Sequence, residues 1–395
     1  MKNSNYLTRL RTAGIITSLI AGSTMTSLLH ADAFSDAIAD SKTSLDIRAR
    51  YEYVDQAGDN DIYGASIRTR LGFTTGAING FNASVEFENL SFEDNAERPS
   101  LDVPTTEINQ LWVSYKNDLA AVKLGNQIYT LDDHRFIGHV GWRQNIQTFD
   151  ALTAKFSPTA ETTLNVAYLD QVNRVNATSQ ELDGIVLNGA YKVSEELSVT
   201  AFAYLLDFDS AGWAKMSTNT YGIRGTGSAS GFKYAVSYAI QNDTGDNPND
   251  VSLSYIAAEV SKKLGEVTAA LGYESLEGDG TSGFTTPLAT VHKFNGFADK
   301  FAGKSIGLAG GLPDGLEDLY VKFVYKVPVA NGIPVTLFYH KFKAENSGVD
   351  FGDEIDAVVA YKLNDYTTLI AKGAYFDAED GTSNALATFE ANLKF

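Results

Sequence analysis

The amino-acid sequence predicts an all-β fold, a closed up-and-down antiparallel β-barrel of about 18 transmembrane strands, with 16 strands as the alternative. Apolar and polar residues alternate through 18 successive segments, which is the periodicity of strands with one apolar and one polar face. The connections between these segments are alternately short and long. After residue 33 the chain has no run of about 18 apolar residues, which a membrane-spanning helix would need.

The composition limits the classes of protein that remain. The chain has no Cys, so a disulfide framework and a thiolate metal site are excluded. Its formal net charge is −18 at pH 7. A chain of that charge repels a polyanion, so we expect no nucleic-acid partner. The mean hydropathy is slightly negative, which agrees with a barrel because alternation hides the apolar content of each strand.

The first 33 residues have the organisation of a secretory signal peptide. A basic start is followed by an apolar stretch rich in small residues and by an A-x-A cleavage motif that ends at Ala33. The stretch is short and rich in Ser and Thr, which argues against an anchoring helix. We therefore expect residues 1–33 to be a signal peptide. Residues 34–395 should form one barrel in the outer membrane of a Gram-negative bacterium, in contact with outer-membrane lipids.

The first predicted strand shows the alternation clearly. An apolar face and a charged face are formed by Leu45, Ile47, Ala49, Tyr51 and Tyr53 and by Asp46, Arg48, Arg50 and Glu52, respectively. The other predicted strands are 62–74, 81–92, 106–116, 119–129, 147–156, 161–170, 183–193, 196–207, 218–229, 231–241, 251–262, 264–275, 317–327, 333–343, 353–363, 367–377 and 385–395. The segments 106–116 and 147–156 leave open which face is apolar.

The lengths of the connections give an independent argument. Those after even-numbered strands are short, as at 76–80 and 157–160, whereas those after odd-numbered strands are mostly longer, as at 130–146 and 276–316. Tight periplasmic turns and long external loops are typical of an outer-membrane barrel. A secreted β-sandwich or β-helix has no reason to separate loop lengths in this way. An even number of strands also places both termini on the periplasmic side.

The segment Ala385–Phe395 alternates between apolar and polar side chains and ends on an aromatic residue. Its ~11 residues are enough to cross a bilayer at the usual tilt. Soluble β proteins can also end in such a strand. The segment resembles the C-terminal signature of bacterial outer-membrane proteins, which the barrel-assembly machinery recognises. That resemblance assigns the assembly signal to Phe389, Leu393 and Phe395.

A barrel of 16 to 18 strands encloses a water-filled lumen lined by the polar faces of its strands. The charged residues predicted to line the pore are Arg48, Arg50, Glu52, Arg68, Arg70, Glu86, Glu88, Lys123, Arg224, Lys322, Glu354 and Asp356. A ladder of guanidinium groups suits the passage of an anionic or hydroxyl-rich solute in short steps. Alternatively, Arg and Glu on neighbouring strands neutralise one another.

The densest motif is the run 124–156, LGNQIYTLDDHRFIGHVGWRQNIQTFDALTAKF. It resembles the alginate-export-like family of outer-membrane porins. The residues that match the pattern of that family are Gly125, Gln127, Asp133, Arg135, Phe136, Ile137, Gly138, Trp142, Phe149 and Asp150. Asn126 and Gln147 depart from it, because basic residues are expected there in members that carry polyanions. The segments 284–320 and 338–357 also resemble the long loop and late hairpin of that family.

The resemblance implies a monomeric barrel of 18 strands, in which loops constrict a hydrophilic pore and solutes cross by diffusion. It places Asp133, Arg135, Trp142 and Arg143 in an inward loop at the constriction. Alternatively, the two arginines bond loop carbonyl groups and nearby Asp side chains.

Catalysis is not expected from this sequence. His134 and His139 share a loop with Asp132 and Asp133, but no Ser lies in a recognisable nucleophile elbow and the spacing matches no metal-ligand pattern. Carboxylate pairs that face a solvated pore lack the dry environment that raises the pKa of a catalytic acid. We therefore predict that the protein is not an enzyme and holds no cofactor or metal.

These observations predict a porin, a passive channel for small hydrophilic solutes that are anionic or saccharide-like. The alternative is a structural or adhesive barrel with a plugged lumen. Its acidic external loops, such as the one with Asp243, Asp246 and Asp250, would then bind cations or surface partners. Ordinary solvation also explains these acidic residues. Deletion of residues 276–316 separates the two functions, since it should change conductance only in a channel.

Overall fold

The computed structural model describes residues 31–56, 61–93, 102–305, 311–328 and 332–395. Within these ranges, one antiparallel sheet contains eighteen strands. The strands are β1 (Lys42–Gln56), β2 (Ile62–Thr74), β3 (Phe81–Phe92), β4 (Thr105–Lys116), β5 (Ala120–Gln127), β6 (Thr148–Phe156), β7 (Thr162–Asn173), β8 (Ser179–Ser194), β9 (Leu197–Phe208), β10 (Thr218–Ala229), β11 (Phe232–Asp243), β12 (Ser252–Leu264), β13 (Val267–Leu276), β14 (Leu316–Val327), β15 (Ile333–Lys343), β16 (Asp350–Lys362), β17 (Thr367–Ala378) and β18 (Asn384–Lys394).

The sheet closes into a barrel because β1 pairs with both β2 and β18. At this seam Leu45 and Phe395 exchange two backbone hydrogen bonds, of 3.1 and 2.9 Å. Closure removes the free edges of the sheet and pairs the backbone polar groups, which lipid cannot hydrogen-bond. The predicted fold class is confirmed, with 18 strands rather than the alternative of 16.

Large apolar side chains cover the outer face of the barrel. On β2, Ile67 and Leu71 are 47% and 54% exposed, whereas Arg68 and Arg70 are 1% and 8% exposed. The alternation therefore places apolar residues toward lipid and polar residues toward the lumen. Phe389 and Phe395 of the predicted assembly signal are also largely exposed. Their recognition by assembly machinery, like that of Leu393, stays a prediction.

Tight turns join many of the strand pairs, and the turn between β10 and β11 illustrates their chemistry. Ser230 and Gly231 connect these strands with φ values of 53° and 78°. Positive φ at both central residues is the requirement of a type I′ turn, whose twist matches that of the flanking strands. Gly231 adopts this conformation without the steric cost that a side chain would add.

The structure explains why two segments were ambiguous in the sequence. In β4 the register against β3 shifts at Glu86 and Phe87, so that Asn109 is an extra residue and the alternation changes phase. In β6 the lumenal residues Phe149 and Ala151 are apolar and buried. They join the buried cluster inside the barrel, so the lumenal face is apolar at the start of this strand, where Asp150 lies on the other face.

Two short helices accompany the strands. Helix α1 (Ala31–Ala39), which was not predicted, packs on the turn after β2, where the Gly76 amide donates to the Ala37 carbonyl at 2.8 Å. It crosses the predicted signal-peptide boundary at Ala33, but residues 1–30 lie outside the described ranges. Helix α2 (Ala302–Ser305) lies in a long connection. None of the helices among the described residues is long and apolar enough to cross a membrane.

Two long connections fold into the barrel. We name residues 128–147, between β5 and β6, loop A, and residues 277–315, between β13 and β14, loop B; positions 306–310 of loop B are outside the described part. Apolar side chains of both loops, such as Ile137 and Leu288, join the lumenal residues of the strands in one buried cluster. The hydrophobic core is thus inside the cylinder, and it fixes both loops there.

Candidate functional site

Loop A and loop B contact each other inside the lumen. Ile137 and Leu288 form a parallel β-bridge, and the Gly138 amide donates to the Leu288 carbonyl at 2.8 Å. The Thr290 amide donates to the His134 carbonyl at 3.0 Å. Backbone pairing of this kind makes the two loops one internal structure across the barrel.

Gln147 joins this structure to the connection after β7. Its side-chain amide donates to the carbonyl groups of Gly138 and Leu288 at 2.9 and 3.1 Å, and its carbonyl oxygen accepts from Arg174 at 3.0 Å. A buried amide can donate twice and accept at the same time. Gln147 stands where the resembling family is expected to have a basic residue. In this chain it connects loops A and B to Arg174.

One side of the loops packs on an apolar wall formed by β7 to β12. The Phe136 ring lies 5.0 Å from the Phe202 ring and 5.4 Å from the Tyr255 ring, measured between centroids. Phe284 of loop B packs on Tyr255 at 5.5 Å and is 1% exposed. Burial of aromatic rings of this size stabilises the docked loops by several kcal/mol in total, at about 1.5–3 kcal/mol per buried side chain.

Arg135, predicted at the constriction, is buried at 1% exposure in this structure. Its Nε and Nη2 donate to the two carboxylate oxygens of Glu274 on β13 at 2.7 and 3.2 Å. Nη2 also donates to Asn295 of loop B at 3.2 Å. Burial lowers the pKa of Arg135, but the interactions with Glu274 and Tyr255 together outweigh burial and raise it overall. Arg135 therefore anchors both loops to the wall, and a direct contact with solutes stays a prediction.

The opposite wall, formed by β16 to β18 and β1 to β3, is charged. Arg48 of β1 donates from Nη1 to the Gly141, Trp142 and Arg143 carbonyl groups at 3.2, 3.3 and 3.0 Å. Arg50 donates to the Trp142 carbonyl. On β2, Arg70 donates to the Gln144 carbonyl at 3.2 Å, and Arg68 approaches the same oxygen at 3.5 Å. Four guanidinium groups thus hold one segment of loop A through its backbone.

The same arginines also pair with carboxylates of neighbouring strands. These ion pairs are Arg50 with Glu390 at 2.7 Å, Arg48 with Glu390 at 3.6 Å, Arg68 with Asp46 and Arg70 with Glu88. Mutual neutralisation, one of the two alternatives at the sequence level, is therefore present. Whether this ladder also passes solutes stays a prediction.

Trp142 and Arg143 of loop A meet loop B at the charged wall. The Trp142 indole stacks on the His292 imidazole with 3.8 Å between centroids and 2° between planes. Arg143 Nη2 donates to Asp299 at 3.1 Å, and its Nη1 lies 3.7 Å from Glu52. The second separation is longer than a hydrogen bond.

His292 connects two further groups at this junction. Its Nδ1 is 2.8 Å from Asp299 and its Nε2 is 2.7 Å from Lys372 Nζ of β17. A carboxylate only accepts and an ammonium only donates, so the ring is neutral with its proton on Nδ1. Burial lowers the pKa of His292 to about 3, and Lys372 and Arg143 act in the same direction against Asp299.

Two predicted pore residues of β16 hold loop B instead of facing open solvent. Glu354 accepts from the Ala298 amide at 2.7 Å, and Asp356 accepts from the Phe297 amide at 3.2 Å. Both carboxylates are fully buried. His340 of β15 lies between Asp356, at 3.6 Å, and Asp318, at 2.9 Å. These side chains fix the path of loop B along the wall.

A cavity of about 360 Å³ remains between the loops and strands β10 to β15. Its cations are Arg224, which pairs with Asp133 at 2.8 Å, Lys293, which donates to the Asp133 carbonyl at 2.9 Å, and Lys322. Lys322 has no hydrogen bond or ion pair with any described residue, and its Nζ is 5.2 Å from the Phe338 ring. The ammonium group of Lys322 can therefore bind an anionic group of a solute in the cavity.

The remaining predicted pore residues lie on the lumenal face of β3 and β5. Glu86 accepts from Asn109 and Gln110 at 2.6 and 3.1 Å, and Lys123 lies 4.2 Å from the Trp112 ring. The described residues contain no cluster of His, Cys, Asp or Glu that could hold a metal ion.

The sequence argument did not identify the residues that complete these contacts. They are Glu274, His292, Asn295 and Asp299. The signal for Glu274 was its place on the lumenal side of an alternating strand. The other three belong to loop B, where alternation gives no guidance.

Comparison with known families gives one match that covers most of the chain. A family model described as Gram-negative porin matches residues 18–381. Among curated proteins, none matches the sequence.

Solved structures with the same fold come from Pseudomonas aeruginosa. OccK3 (OpdO) has a TM-score of 0.72 at 14% identity, with 93% of this chain and 99% of that one covered. OccK8 (OprE) has a TM-score of 0.70 at 15% identity, with 91% and 99% covered. OpdK with vanillate has a TM-score of 0.69 at 14% identity, with 91% and 99% covered. At such identities the likeness concerns the fold alone.

Proposed function

Because the chain belongs to the Gram-negative porin family, whose members are outer-membrane channel proteins, we propose that it is a passive diffusion channel for small hydrophilic solutes that carry an anionic group or resemble a saccharide. The observation that carries this proposal is the lumenal cavity beside the inward loops. It combines Lys322, an ammonium group without a carboxylate partner, with Arg224 and Lys293.

The chemistry of this cavity suits a solute with a negative and a polar part. Lys322 can pair with an anionic group, while Glu259 and Asp318 can accept hydrogen bonds from hydroxyl groups of the same solute. Aromatic rings such as Phe338 provide apolar faces. Each contact is weak in a hydrated lumen, which permits both entry and release.

The proposed identity of the solute rests on the resemblance of this chain to other outer-membrane channels. The resemblance of residues 124–156 to the alginate-export-like family supports uronic acids, and OpdK, one of the similar structures, was solved with vanillate. Both compounds carry a carboxylate, so we include them among the solutes to be tested. We propose export through a signal peptide at 1–33 and a monomeric state, in which each barrel encloses its own pore.

The channel is tested by reconstitution of the purified full chain. In planar bilayers we expect discrete conductance steps, and absence of any step would leave the structural or adhesive barrel as the better explanation. In liposome-swelling assays we expect glucuronate to enter faster than glucosamine, which has a similar size and the opposite charge. Equal rates would contradict the proposed preference for anionic solutes.

The role of the cavity is tested by Lys322→Met. This change removes the unpaired ammonium and keeps a side chain of similar length, so glucuronate and vanillate should enter more slowly while glucose is unaffected. Lys362→Met is the matched control, because Lys362 lies at the exposed end of β16, where it pairs with Asp365. If both variants transport glucuronate as the unmodified protein does, the cavity does not select the solute.

A further inference from the structure

Lys372 of β17 has an unusual environment where loop A meets loop B. Its Nζ lies 3.6 Å from the centroid of the Trp142 ring and 4.4 Å from that of Phe297. The same atom is 2.7 Å from His292 Nε2. Among the described residues, no carboxylate is within ion-pair distance of this ammonium. Aromatic faces and one imidazole nitrogen therefore replace the water that an ammonium ion normally binds.

The three rings form a preformed enclosure. Trp142 stacks on His292 at 3.8 Å with an angle of 2°, and His292 stacks on Phe297 at 5.1 Å with an angle of 19°. Asp299 holds the proton of His292 on Nδ1, so Nε2 presents its lone pair to the enclosed cation. Rings with negative faces and a neutral imidazole acceptor are the groups that recognise an ammonium ion.

We propose that Trp142, His292 and Phe297 form a binding site for an ammonium group, which we name the cage. Lys372 is its built-in ligand when loops A and B are docked in the lumen. The inference rests on the proposed channel function. An occupied site excludes cationic solutes from the junction of the loops. Lys372 is then a specificity-determining residue, and a small organic ammonium ion is the ligand that the empty site would take.

The site also explains a feature of loop anchoring. Arg50 lies on Trp142 as well, with its Cζ 4.3 Å from the ring centroid, so one indole faces cations from two strands. Trp142 belongs to loop A, whereas His292 and Phe297 belong to loop B. An ammonium in the cage therefore holds both loops against β17, and its removal leaves the cage without a cation.

Lys372→Met in the full chain tests the inference with ethylammonium chloride as the probe. Ethylammonium should block the potassium current of this variant with an affinity at least about tenfold higher than it blocks the unmodified protein, the effect expected for a desolvated cation–π site. Lys372→Arg keeps a cation in the cage and should stay insensitive. Lys362→Met removes an ammonium group at the exposed end of β16, away from the three rings, so its block should equal that of the unmodified protein.

Fluorescence gives a readout that does not require conduction. The chain has three Trp residues, and ethylammonium should shift the emission of Lys372→Met but not that of Lys372→Met/Trp142→Phe. If the unmodified protein gave no conductance steps but the two variants still gave this fluorescence result, the channel function would fail and the ammonium site would stand. Equal block in Lys372→Met and Lys362→Met, with no shift in emission, would overturn the proposed ammonium site. Heat-modifiable migration on gels verifies assembly, and Lys372→Gln replaces any variant that does not assemble.

Discussion

The two walls of the lumen hold the same pair of loops by different means. The wall of β7 to β12 uses buried rings, with Phe136 and Phe284 packed on Phe202 and Tyr255. The opposite wall uses guanidinium groups that bind loop carbonyl oxygens and neighbouring carboxylates, as Arg48 and Arg50 do. Apolar packing is insensitive to pH, whereas buried charge depends on every partner being present and correctly ionised. The comparison teaches that the charged wall should respond more strongly to pH than the apolar wall.

Arg135→Met should have the largest effect on conductance, because Arg135 bridges the two loops and neutralises Glu274 of β13. Loss of one partner of a buried pair costs about 3–5 kcal/mol, since the other charge stays buried. We expect the loops to detach, with a larger single-channel conductance and faster proteolysis of loop A.

The double variant Arg135→Met/Glu274→Gln removes the uncompensated carboxylate as well. It should recover part of the lost docking energy and have an intermediate conductance. Equal conductance in the unmodified, single and double variants would show that Arg135 does not hold the loops.

Phe284→Ala tests the apolar wall. Truncation of this buried ring should weaken the docking of loop B by about 3 kcal/mol, the lower end for Phe replacements. Conductance should rise, and the rise should be the same at pH 5 and pH 8 because no titratable group is changed. Phe284→Leu keeps most of the volume and should behave almost as the unmodified protein. A rise that depends on pH would contradict the division between the two walls.

Acidification tests the charged wall. The pKa of His292 in the docked loop is about 3, whereas that of a free imidazole is about 6.5. The detached loop therefore binds a proton more readily, so the docking energy is complete above about pH 6.5 and declines as the pH falls toward about 3. Arg143 and Lys372 face the same ring, and the pKa of Asp299 is lowered by His292 and Arg143 against the effect of burial.

Protonation of His292 and protonation of Asp299 both weaken the docking of loop B. Conductance should therefore become larger or noisier between pH 6.5 and pH 4. His292→Gln removes the imidazole, so its conductance should change less over this interval. If the variant and the unmodified protein had the same pH profile, another group would be responsible.

Lys123→Met should have the smallest effect on the loops. Lys123 lies on the Trp112 ring on the lumenal side of β5, and it forms no ion pair or ring contact with the described residues of either loop. An exposed cation–π contact is worth about 0.5–1 kcal/mol. We expect unchanged proteolysis of loop A, and accelerated cleavage would mean that this lysine also holds the loops.

The strands were accessible from the sequence because a membrane barrel imposes period-two alternation on each of them. All eighteen predicted segments correspond to strands, and even the ambiguous segment 106–116 has a local cause, the extra residue Asn109 in β4. The first strand was predicted too short, at both ends, because Lys42 and Gln56 lie beyond the apolar pattern. Local periodicity was therefore sufficient to predict the strands of the barrel.

The contacts inside the barrel could not be predicted from the sequence in the same way. Arg135 and Glu274 are 139 residues apart, and Arg143 and Asp299 are 156 residues apart. No local pattern links such pairs, because only the three-dimensional fold brings loop B to its partners. The resemblance of residues 124–156 did indicate an inward loop with Arg135 and Trp142. It did not reveal that the arginines of β1 and β2 bind the backbone of that loop.

The seam between β1 and β18 determines when the chain can fold. Arg48 donates to Asn392 across this seam although 344 residues separate them. The opening strand has no partner on one side until the final strand has been synthesised. Closure of the barrel, and with it enclosure of the lumen, therefore requires both ends of the chain.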